Sequence, residues 1–331
     1  MGKLLFISLL VTSFGLQAAE TDQYYASKAI IRDSSNEMNG FFHERIQVAL
    51  DKVNEKRQAI SCRLVAKEVL TQVLGEFSVV DYAKSKSFSK VSVFTQKSPL
   101  VDRYPDESVS ESDYRATSVY RNRPFPLNVV GVARTLNING IYIGTDKMGH
   151  FSIVGKAYYT NFLEALDKGM TEDEALNEAM RKGYNQEIAI LGYTIGGTLS
   201  FADLEANYQG YLFGRNMCDG ENPHLVKKND MWIQNPANIF DIRKYVNPKY
   251  DEAYNPNFWN GRVWKHMEGE IVVAHCRNSI EPAYLARVAY YKTIEKQSYN
   301  DIYLEKFLAT KGKYDRNKQL LSKNVKCSDY L

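Results

Sequence analysis

The fold is decided by three polar segments in the middle of the chain: Thr145-Asp146-Lys147-Met148-Gly149-His150-Phe151, the single acid Glu187, and Ser200-Phe201-Ala202-Asp203-Leu204-Glu205-Ala206-Asn207-Tyr208-Gln209-Gly210. Asp146 and His150 are four residues apart, and so are Asp203 and Asn207. On an α-helix, side chains at this spacing share one face. The pattern therefore predicts three helices whose polar faces meet in one cluster.

A β-hairpin is predicted immediately before the first of these segments. Apolar and polar residues alternate through 136–144 around Asn139-Gly140, the pair typical of a two-residue type I′ turn. The chain then enters a helix that we expect Thr145 or Asp146 to cap. This first helix is predicted to run to about Lys168.

The other two polar segments have their own start signals. Residues 171–174 read Thr-Glu-Asp-Glu, a capping box that opens a second helix predicted to reach about Leu191. Ser200 resembles a further N-cap, which predicts a third helix ending near Met217. Glu187 then lies late in the second helix, beside an apolar run, and precedes a glycine-rich turn over 192–198.

The flanking sequence predicts a mainly α protein, a helical bundle with a small β-hairpin and long irregular loops. Further helices are expected where apolar residues recur every three or four positions: 37–56, 61–75, 281–296 and 300–309. Residues 76–123 lack such a pattern and are predicted to form a long irregular surface segment. We expect a single domain over 20–331, with the polar core at 145–217 and a loop-rich C-terminal part at 218–331.

The first 19 residues have the features of a secretory signal peptide. Lys3 precedes an apolar stretch that ends in Gln17-Ala18-Ala19, small residues suited to cleavage. No later run approaches the ~20 apolar residues of a membrane-spanning helix, so we predict no transmembrane segment in the mature chain. The expected location is the periplasm or the exterior of the cell.

Charge and cysteine content narrow the class of protein further. The formal net charge is only +3, without blocks of like charge, so nucleic acid is not an expected partner. The sequence has four cysteines, an even number that favours two structural disulfides in an exported chain. Their pairing stays open, because three connectivities are possible among Cys62, Cys218, Cys276 and Cys327.

The order Asp-Lys-x-x-His-Phe, isolated Glu, and Ser-x-x-Asp-x-x-x-Asn-x-x-Gly resembles the VanZ-like families of bacterial envelope proteins. The likeness covers about residues 145–215, and the matching side chains are Asp146, Lys147, His150, Phe151, Glu187, Ser200, Asp203, Asn207 and Gly210. This resemblance implies a role in the cell envelope. It does not specify a reaction. The chain departs from the usual pattern in lacking membrane spans.

The leading hypothesis for the chemistry is a carboxylate pair that hydrolyses peptidoglycan or another envelope glycan. Glu187 would act as the general acid, because its apolar surroundings disfavour the charged form, and Asp203 would be its partner. His150 would assist catalysis. Asp146, Lys147, Asn207 and Thr194 would bind substrate. The 23 tyrosines are compatible with a glycan partner, since their rings can lie against sugars.

Two alternatives stay open. No cofactor motif is present, so a cofactor-free site is expected, but Asp146, His150, Glu187 and Asp203 could instead bind one divalent metal for hydrolysis. The cluster could also be a structural core in a non-catalytic periplasmic binding or protection module. The neighbouring acids Asp251 and Glu252 are expected to be solvated on a loop.

Overall fold

The chain folds into helices connected by short strand pairs, as predicted. The computed structural model describes residues 20–56, 60–74, 89–125, 127, 131–194, 196–311 and 327–329. The helices are α1 (Ser35–Glu55), α2 (Cys62–Leu74), α3 (Lys90–Lys97), α4 (Glu111–Thr117), α5 (Thr145–Gly149), α6 (Gly155–Asp167), α7 (Glu172–Gln186), α8 (Phe201–Asn216), α9 (Gly261–Asn278), α10 (Pro282–Ile294) and α11 (Tyr299–Lys311). Two π-helical segments, π1 (His150–Val154) and π2 (Glu187–Leu191), continue α5 and α7, and short 3-10 turns occupy Ile242–Lys244, Pro248–Tyr250 and Cys327–Asp329.

The strands form four separate pairs among these residues. In chain order they are β1 (Glu20–Thr21), β2 (Val132–Ala133), β3 (Thr135–Ile138), β4 (Ile141–Gly144), β5 (Thr198–Leu199), β6 (Leu225–Lys228), β7 (Met231–Gln234) and β8 (Phe258–Trp259). β1 and β2 are parallel, whereas the β3–β4, β5–β8 and β6–β7 pairs are antiparallel. The predicted hairpin is confirmed, because β3 and β4 meet at Asn139 and Gly140, whose φ angles of 54° and 80° suit a type I′ turn.

The helix-start predictions are confirmed at two of three places. Thr171 and Glu174 form both hydrogen bonds of the capping box, and the Ser200 hydroxyl accepts from the Asp203 amide at 3.1 Å. The predicted cap by Thr145 or Asp146 is wrong. Gly144 occupies the N-cap position without a side-chain hydrogen bond, because the Asp146 carboxylate is engaged by partners elsewhere in the fold.

Within the segment predicted to be irregular, residues 89–123 contain two helices that were not predicted. The part over 75–88 lies outside the described residues, but α3 and α4 follow it. Their N-caps, Ser89 and Ser110, accept hydrogen bonds from backbone amides inside the helices. Serines that suggested a loop are thus helix caps. Tyr114 on α4 is 1% exposed, so this segment also contributes to the core.

Two glycines let the helices of the polar segments approach closely. A Cβ built on Gly210 of α8 would lie 1.8 Å from the Phe151 carbonyl oxygen, and one on Gly155 would lie 2.5 Å from the Gly210 Cα. The backbones of α8 and of the π1–α6 junction are therefore in direct contact. This contact fixes the distance between the helix that carries His150 and the helix that carries Asp203.

The cysteines pair as Cys62–Cys218 and Cys276–Cys327, which confirms the expected two disulfides. The first joins the start of α2 to the chain just after α8, across 156 residues of sequence. Among the described residues, no helix combines the length and apolarity needed to cross a membrane. The predicted signal peptide, residues 1–19, lies outside them.

Candidate functional site

Two of the predicted site residues stand at the start of π-helical segments. His150 begins π1 and Glu187 begins π2. A π segment inserts an extra residue into a helical turn and is often found at functional sites, where it redirects a side chain. Asp203 and Asn207 project from the regular helix α8, one turn apart. The three helices bring these side chains together, as the spacing predicted.

One half of the cluster is centred on a lysine; we call Lys147, Asp146, Asp203 and Glu252 the lysine group. The Lys147 side chain is completely buried, and its Nζ lies 2.8 Å from Asp146 Oδ2, 2.6 Å from Asp203 Oδ1 and 2.5 Å from Glu252 Oε1. Burial lowers the pKa of Lys147, but these carboxylates outweigh that effect and raise it well above its usual value. Lys147 is therefore a buried cation with three anionic partners.

Uncharged side chains also donate hydrogen bonds to the carboxylates of the lysine group. The Thr21 hydroxyl donates to Asp146 Oδ1 at 2.6 Å. Glu252 accepts from Asn257 Nδ2 at 3.0 Å, from the Ser200 hydroxyl at 3.2 Å and from the Tyr120 hydroxyl at 3.3 Å. Burial nevertheless raises the pKa of Glu252 to about 7, against the opposing effect of Lys147.

The other half contains the histidine; we call His150, Glu187 and Asp203 the histidine group. Each of these residues has one side-chain nitrogen or oxygen atom that lies within 4.8 Å of the corresponding atoms of the other two residues. His150 Nε2 is 3.3 Å from Asp203 Oδ2, and His150 Nδ1 is 3.1 Å from Asn207 Oδ1. Glu187 Oε2 is buried and has no hydrogen-bond partner among the described residues.

The whole cluster has an excess of acids. Burial, followed by the charge of Asp203, raises the pKa of Glu187 well above its usual value. Glu20 on β1 also lies here, and burial together with the charge of Glu252 raises its pKa. Its cationic partner is Arg123, 3.6 Å away. The five acids of the cluster therefore outnumber its two basic residues, Lys147 and Arg123.

Several residues with predicted roles have different surroundings from those expected. Lys147, predicted to bind substrate, has no exposed surface. Thr194, predicted to do the same, is exposed, and its hydroxyl donates to the Ile188 carbonyl at 2.6 Å. Asp146 joins the lysine group and not the histidine group. Asn207, predicted to bind substrate, is buried, and its Oδ1 lies 3.1 Å from His150 Nδ1, a contact that orients the imidazole.

The sequence interpretation missed Glu252 and Glu20. Asp251 and Glu252 were expected to be solvated, but they are 0% and 2% exposed. Asp251 accepts from the Tyr291 hydroxyl at 2.9 Å, and Glu252 enters the lysine group. For Asp251 and Glu252, though not for Glu20, the neighbouring tyrosines and asparagines are a local signal that neutral donors for buried carboxylates are at hand. This signal does not identify Lys147 as the partner.

The donor set of the histidine group fits a divalent metal. One imidazole nitrogen and two carboxylate oxygens suit zinc, manganese or iron, and ligating histidines commonly have their second nitrogen held by a hydrogen bond. Asn207 provides that bond here. The carboxylate oxygens of a second set, Asp146, Asp203 and Glu252, also lie within 4.8 Å of one another. Lys147 Nζ already lies within 2.8 Å of each of these residues, so a cation of the protein occupies this position.

Comparison with known proteins assigns no family or relative: no family model, no curated protein and no solved structure matches the chain.

Proposed function

We propose that this chain is an exported cell-envelope protein that binds one divalent metal through His150, Glu187 and Asp203 and uses it for hydrolysis. The observation that carries the proposal is Glu187 Oε2, a buried carboxylate oxygen without a partner among the described residues, next to an imidazole and a second carboxylate. An unsatisfied buried polar group costs about 1–3 kcal/mol, more when it is charged. A bound cation removes this cost.

The electrostatics of the cluster support a cation at this position. Lys147 neutralises the acids on one side, and Arg123 faces Glu20. Among the described residues no lysine or arginine forms an ion pair with Glu187. A divalent ion would therefore balance the excess charge where the protein's own cations do not.

His150, Glu187 and Asp203 would hold the ion, which would supply the activation of water that hydrolysis requires. Hydrolysis then needs no other co-reactant, since water supplies a hydroxyl to one product and a proton to the other. An envelope glycan is the proposed substrate. The predicted signal peptide, the two disulfides and the VanZ-like segment order support an extracytoplasmic role. The metal-free Glu187–Asp203 mechanism is less well supported, because it leaves the buried, unpartnered Glu187 Oε2 without a counter-ion.

The second candidate is a non-catalytic binding or protection module. The observation in its favour is the burial of the same centre: His150, the most exposed member of the histidine group, retains only 9% of its surface. In that case the polar cluster specifies the packing of the three helices and turns over no substrate.

Metal binding is tested first, on the purified mature protein. The metal content after loading with Zn²⁺, Mn²⁺ or Fe²⁺ and gel filtration should approach one ion per chain, and the loaded protein should melt at a higher temperature. His150→Gln and Glu187→Gln should both lose the ion. His266→Gln is the matched control, because His266 is exposed and its Nδ1 bonds only within its own helix. Retention of the ion by both site variants would overturn the proposal.

Hydrolysis is tested by release of soluble fragments from purified peptidoglycan sacculi. Release that requires the metal and is lost in both Glu187→Gln and chelator-treated protein supports the metal-dependent hydrolase. Release that is lost in Glu187→Gln but survives chelation supports the carboxylate pair instead. Stoichiometric metal binding without release from acetylated or deacetylated sacculi supports the non-catalytic module.

A further inference from the structure

A separate cleft of about 680 Å³ lies in the described structure, and no member of the lysine group or the histidine group lines it. One wall is the segment that follows β1, with Tyr24, Tyr25 and Lys28, and the opposite wall is helix α9, with Glu270 and Asn278. Residues 117–121 and Tyr104 close its remaining side. The volume falls within the range of small-molecule sites, roughly 300–1,000 Å³.

Two buried polar groups in the walls of this cleft lack partners. Tyr24 is 8% exposed and Asn278 is 2% exposed, and neither the Tyr24 hydroxyl nor Asn278 Nδ2 has a hydrogen-bond partner in the described part of the chain. Buried hydroxyl and amide groups are nearly always paired in folded proteins. A hydroxyl-rich ligand would provide partners after small side-chain movements.

The cleft also has an aromatic wall. The Tyr25 ring lies 5.5 Å from that of Tyr104 and 5.2 Å from that of Tyr114, in tilted arrangements. Tyr25 and Tyr104 are only partly buried and both line the cleft, so part of each side chain is accessible to a ligand. Tyrosine combines a flat apolar surface with a polar tip, which suits the apolar face and hydroxyl edge of a sugar ring.

Three acids and three basic residues line the cleft, so its formal charges balance and favour an uncharged ligand: Asp22, Glu270 and Glu281 against Lys28, Arg121 and Arg277. Lys28 pairs with Glu281 at 3.4 Å, and Arg121 forms an ion pair with Glu270 across the cleft. An anionic polymer would have to displace these acids. Neutral hydroxyl groups, in contrast, can bond to the pairs without breaking them.

Backbone hydrogen bonds hold the cleft walls in place. Asp22 accepts from the Val119 amide at 2.8 Å and from the Tyr25 amide at 2.9 Å, which ties the β1 segment to residues 117–121. The preceding residue, Thr21, donates to Asp146 of the lysine group. One short segment thus contributes both to the cleft and to the buried cluster.

We infer that this cleft binds a neutral saccharide unit of one or two rings, with Tyr25 and Tyr104 against the sugar face and Tyr24 and Asn278 bonding its hydroxyl or acetamido groups. The site goes beyond the proposed metal centre and does not depend on it.

The test is isothermal titration of the mature protein with N,N′-diacetylchitobiose and, in parallel, with cellobiose and triglycine. We expect binding of at least one disaccharide and none of triglycine. Tyr25→Ala should weaken that binding about tenfold, the loss of roughly 1.4 kcal/mol expected of one ring contact. Glu270→Gln, at the cleft rim, should weaken it without disturbing the core.

Tyr290→Ala is the matched control, since Tyr290 is 37% exposed and its hydroxyl bonds to the Asn139 carbonyl outside the cleft. His150→Gln should bind the disaccharide with wild-type affinity, so a failure of the metal centre and a failure of the cleft are distinguishable. The inference is overturned if neither disaccharide binds, if triglycine binds in their place, or if Tyr25→Ala and Glu270→Gln both retain wild-type affinity.

Discussion

The two halves of the buried cluster contain similar acids but differ in how those acids are neutralised. In the lysine group, three carboxylates surround an ammonium group that lies within 2.8 Å of each. In the histidine group, two carboxylates face an imidazole, and one of their oxygens has no partner among the described residues. Asp203 belongs to both. The comparison shows that a single helix side chain can complete a salt-bridge network on one side and belong, on the other, to a set of potential ligands without a cation from the protein.

The largest expected effect comes from removing the cation of the lysine group. Lys147→Met leaves three buried carboxylates without their common partner, and breaking a buried ion pair in this way costs about 3–5 kcal/mol. The free energy of unfolding from urea denaturation should fall by at least that amount, or the variant should fail to accumulate as folded protein.

Lys182→Met is the matched control for this change. Lys182 lies on the neighbouring helix α7, is partly exposed and approaches Glu178 only to 3.9 Å, so its removal should cost less than about 1 kcal/mol. Equal stabilities of the two variants would show that Lys147 does not hold the carboxylates together.

Asp22 shows a third way to hold a buried carboxylate, since its oxygens accept from backbone amides. Burial, only partly offset by these amides, raises the pKa of Asp22 from 3.8 to about 6. A raised pKa in the folded state means that the folded chain binds the proton more tightly than the unfolded chain. The contribution of Asp22 to stability is therefore fully present below pH 3.8 and is lost as the pH rises through about 6.

The loss of folding stability from Asp22 corresponds to about 3 kcal/mol. The pKa rises from 3.8 to about 6 on folding, and each pKa unit is worth about 1.4 kcal/mol. It is measured by urea denaturation of the wild type and of Asp22→Asn between about pH 4 and pH 7. The stability of the wild type relative to the variant should decrease over this interval. Parallel stability curves would contradict the raised pKa.

The close contact between helices offers a way to disturb both groups at once. Gly210→Ala places a methyl group against the Phe151 carbonyl and Gly155, which forces α8 away from π1. We expect a loss of about 1–3 kcal/mol in stability, typical of overpacking, together with weaker metal binding. Gly40→Ala on α1 is the control, because nothing lies within 4 Å of the added carbon and the change should stabilise the helix by up to about 1 kcal/mol. Stabilisation in both variants would show that the contact is not tight.

The smallest expected effect is a gain in stability, whereas the preceding site variants should lose stability. Glu187→Gln removes a buried carboxyl group that has no ion pair among the described residues. Because the pKa of Glu187 is raised in the folded chain, holding this group at neutral pH costs stability, either as an unpaired charge or as a bound proton. The metal-free variant should therefore be more stable than the wild type by about 1 kcal/mol. The same variant should lose the thermal stabilisation that added Zn²⁺ gives the wild type. Thermal melts with and without the metal measure both quantities, and destabilisation of the metal-free variant would show that the Glu187 charge is satisfied after all.

The turn and the helix starts that depend on neighbouring residues were predictable from the sequence. Asn139-Gly140, the capping box at Thr171 and the cap at Ser200 depend on neighbouring residues, and each forms as expected. The four-residue spacings of Asp146 with His150 and of Asp203 with Asn207 likewise predicted that these helices would meet, and His150 does contact Asp203. The missed helix α9 also had a local signal, because its cap Asn260 accepts from the Val263 amide ahead of an apolar stripe.

Long-range partners were not predictable in the same way. Glu252 resembles any loop acid until Lys147, 105 residues away, is placed beside it. Glu20 and Thr21 belong to no recognisable sequence pattern, and their contacts with Arg123 and Asp146 form only in the folded chain, where β1 pairs with β2. Whether an acid is buried depends on such distant partners, and one sequence does not reveal them.

The route of the chain through the cluster has a consequence for folding kinetics. Thr21 reaches Asp146 across 125 residues, and Asn257 reaches Glu20 across 237. Contacts between such distant residues close large loops and therefore form slowly compared with local ones. We expect the polar cluster to assemble after the hairpin and the paired helices α6 and α7. Pulsed hydrogen exchange during refolding should accordingly protect the amides of β1 last, and early protection of β1 would reverse this order.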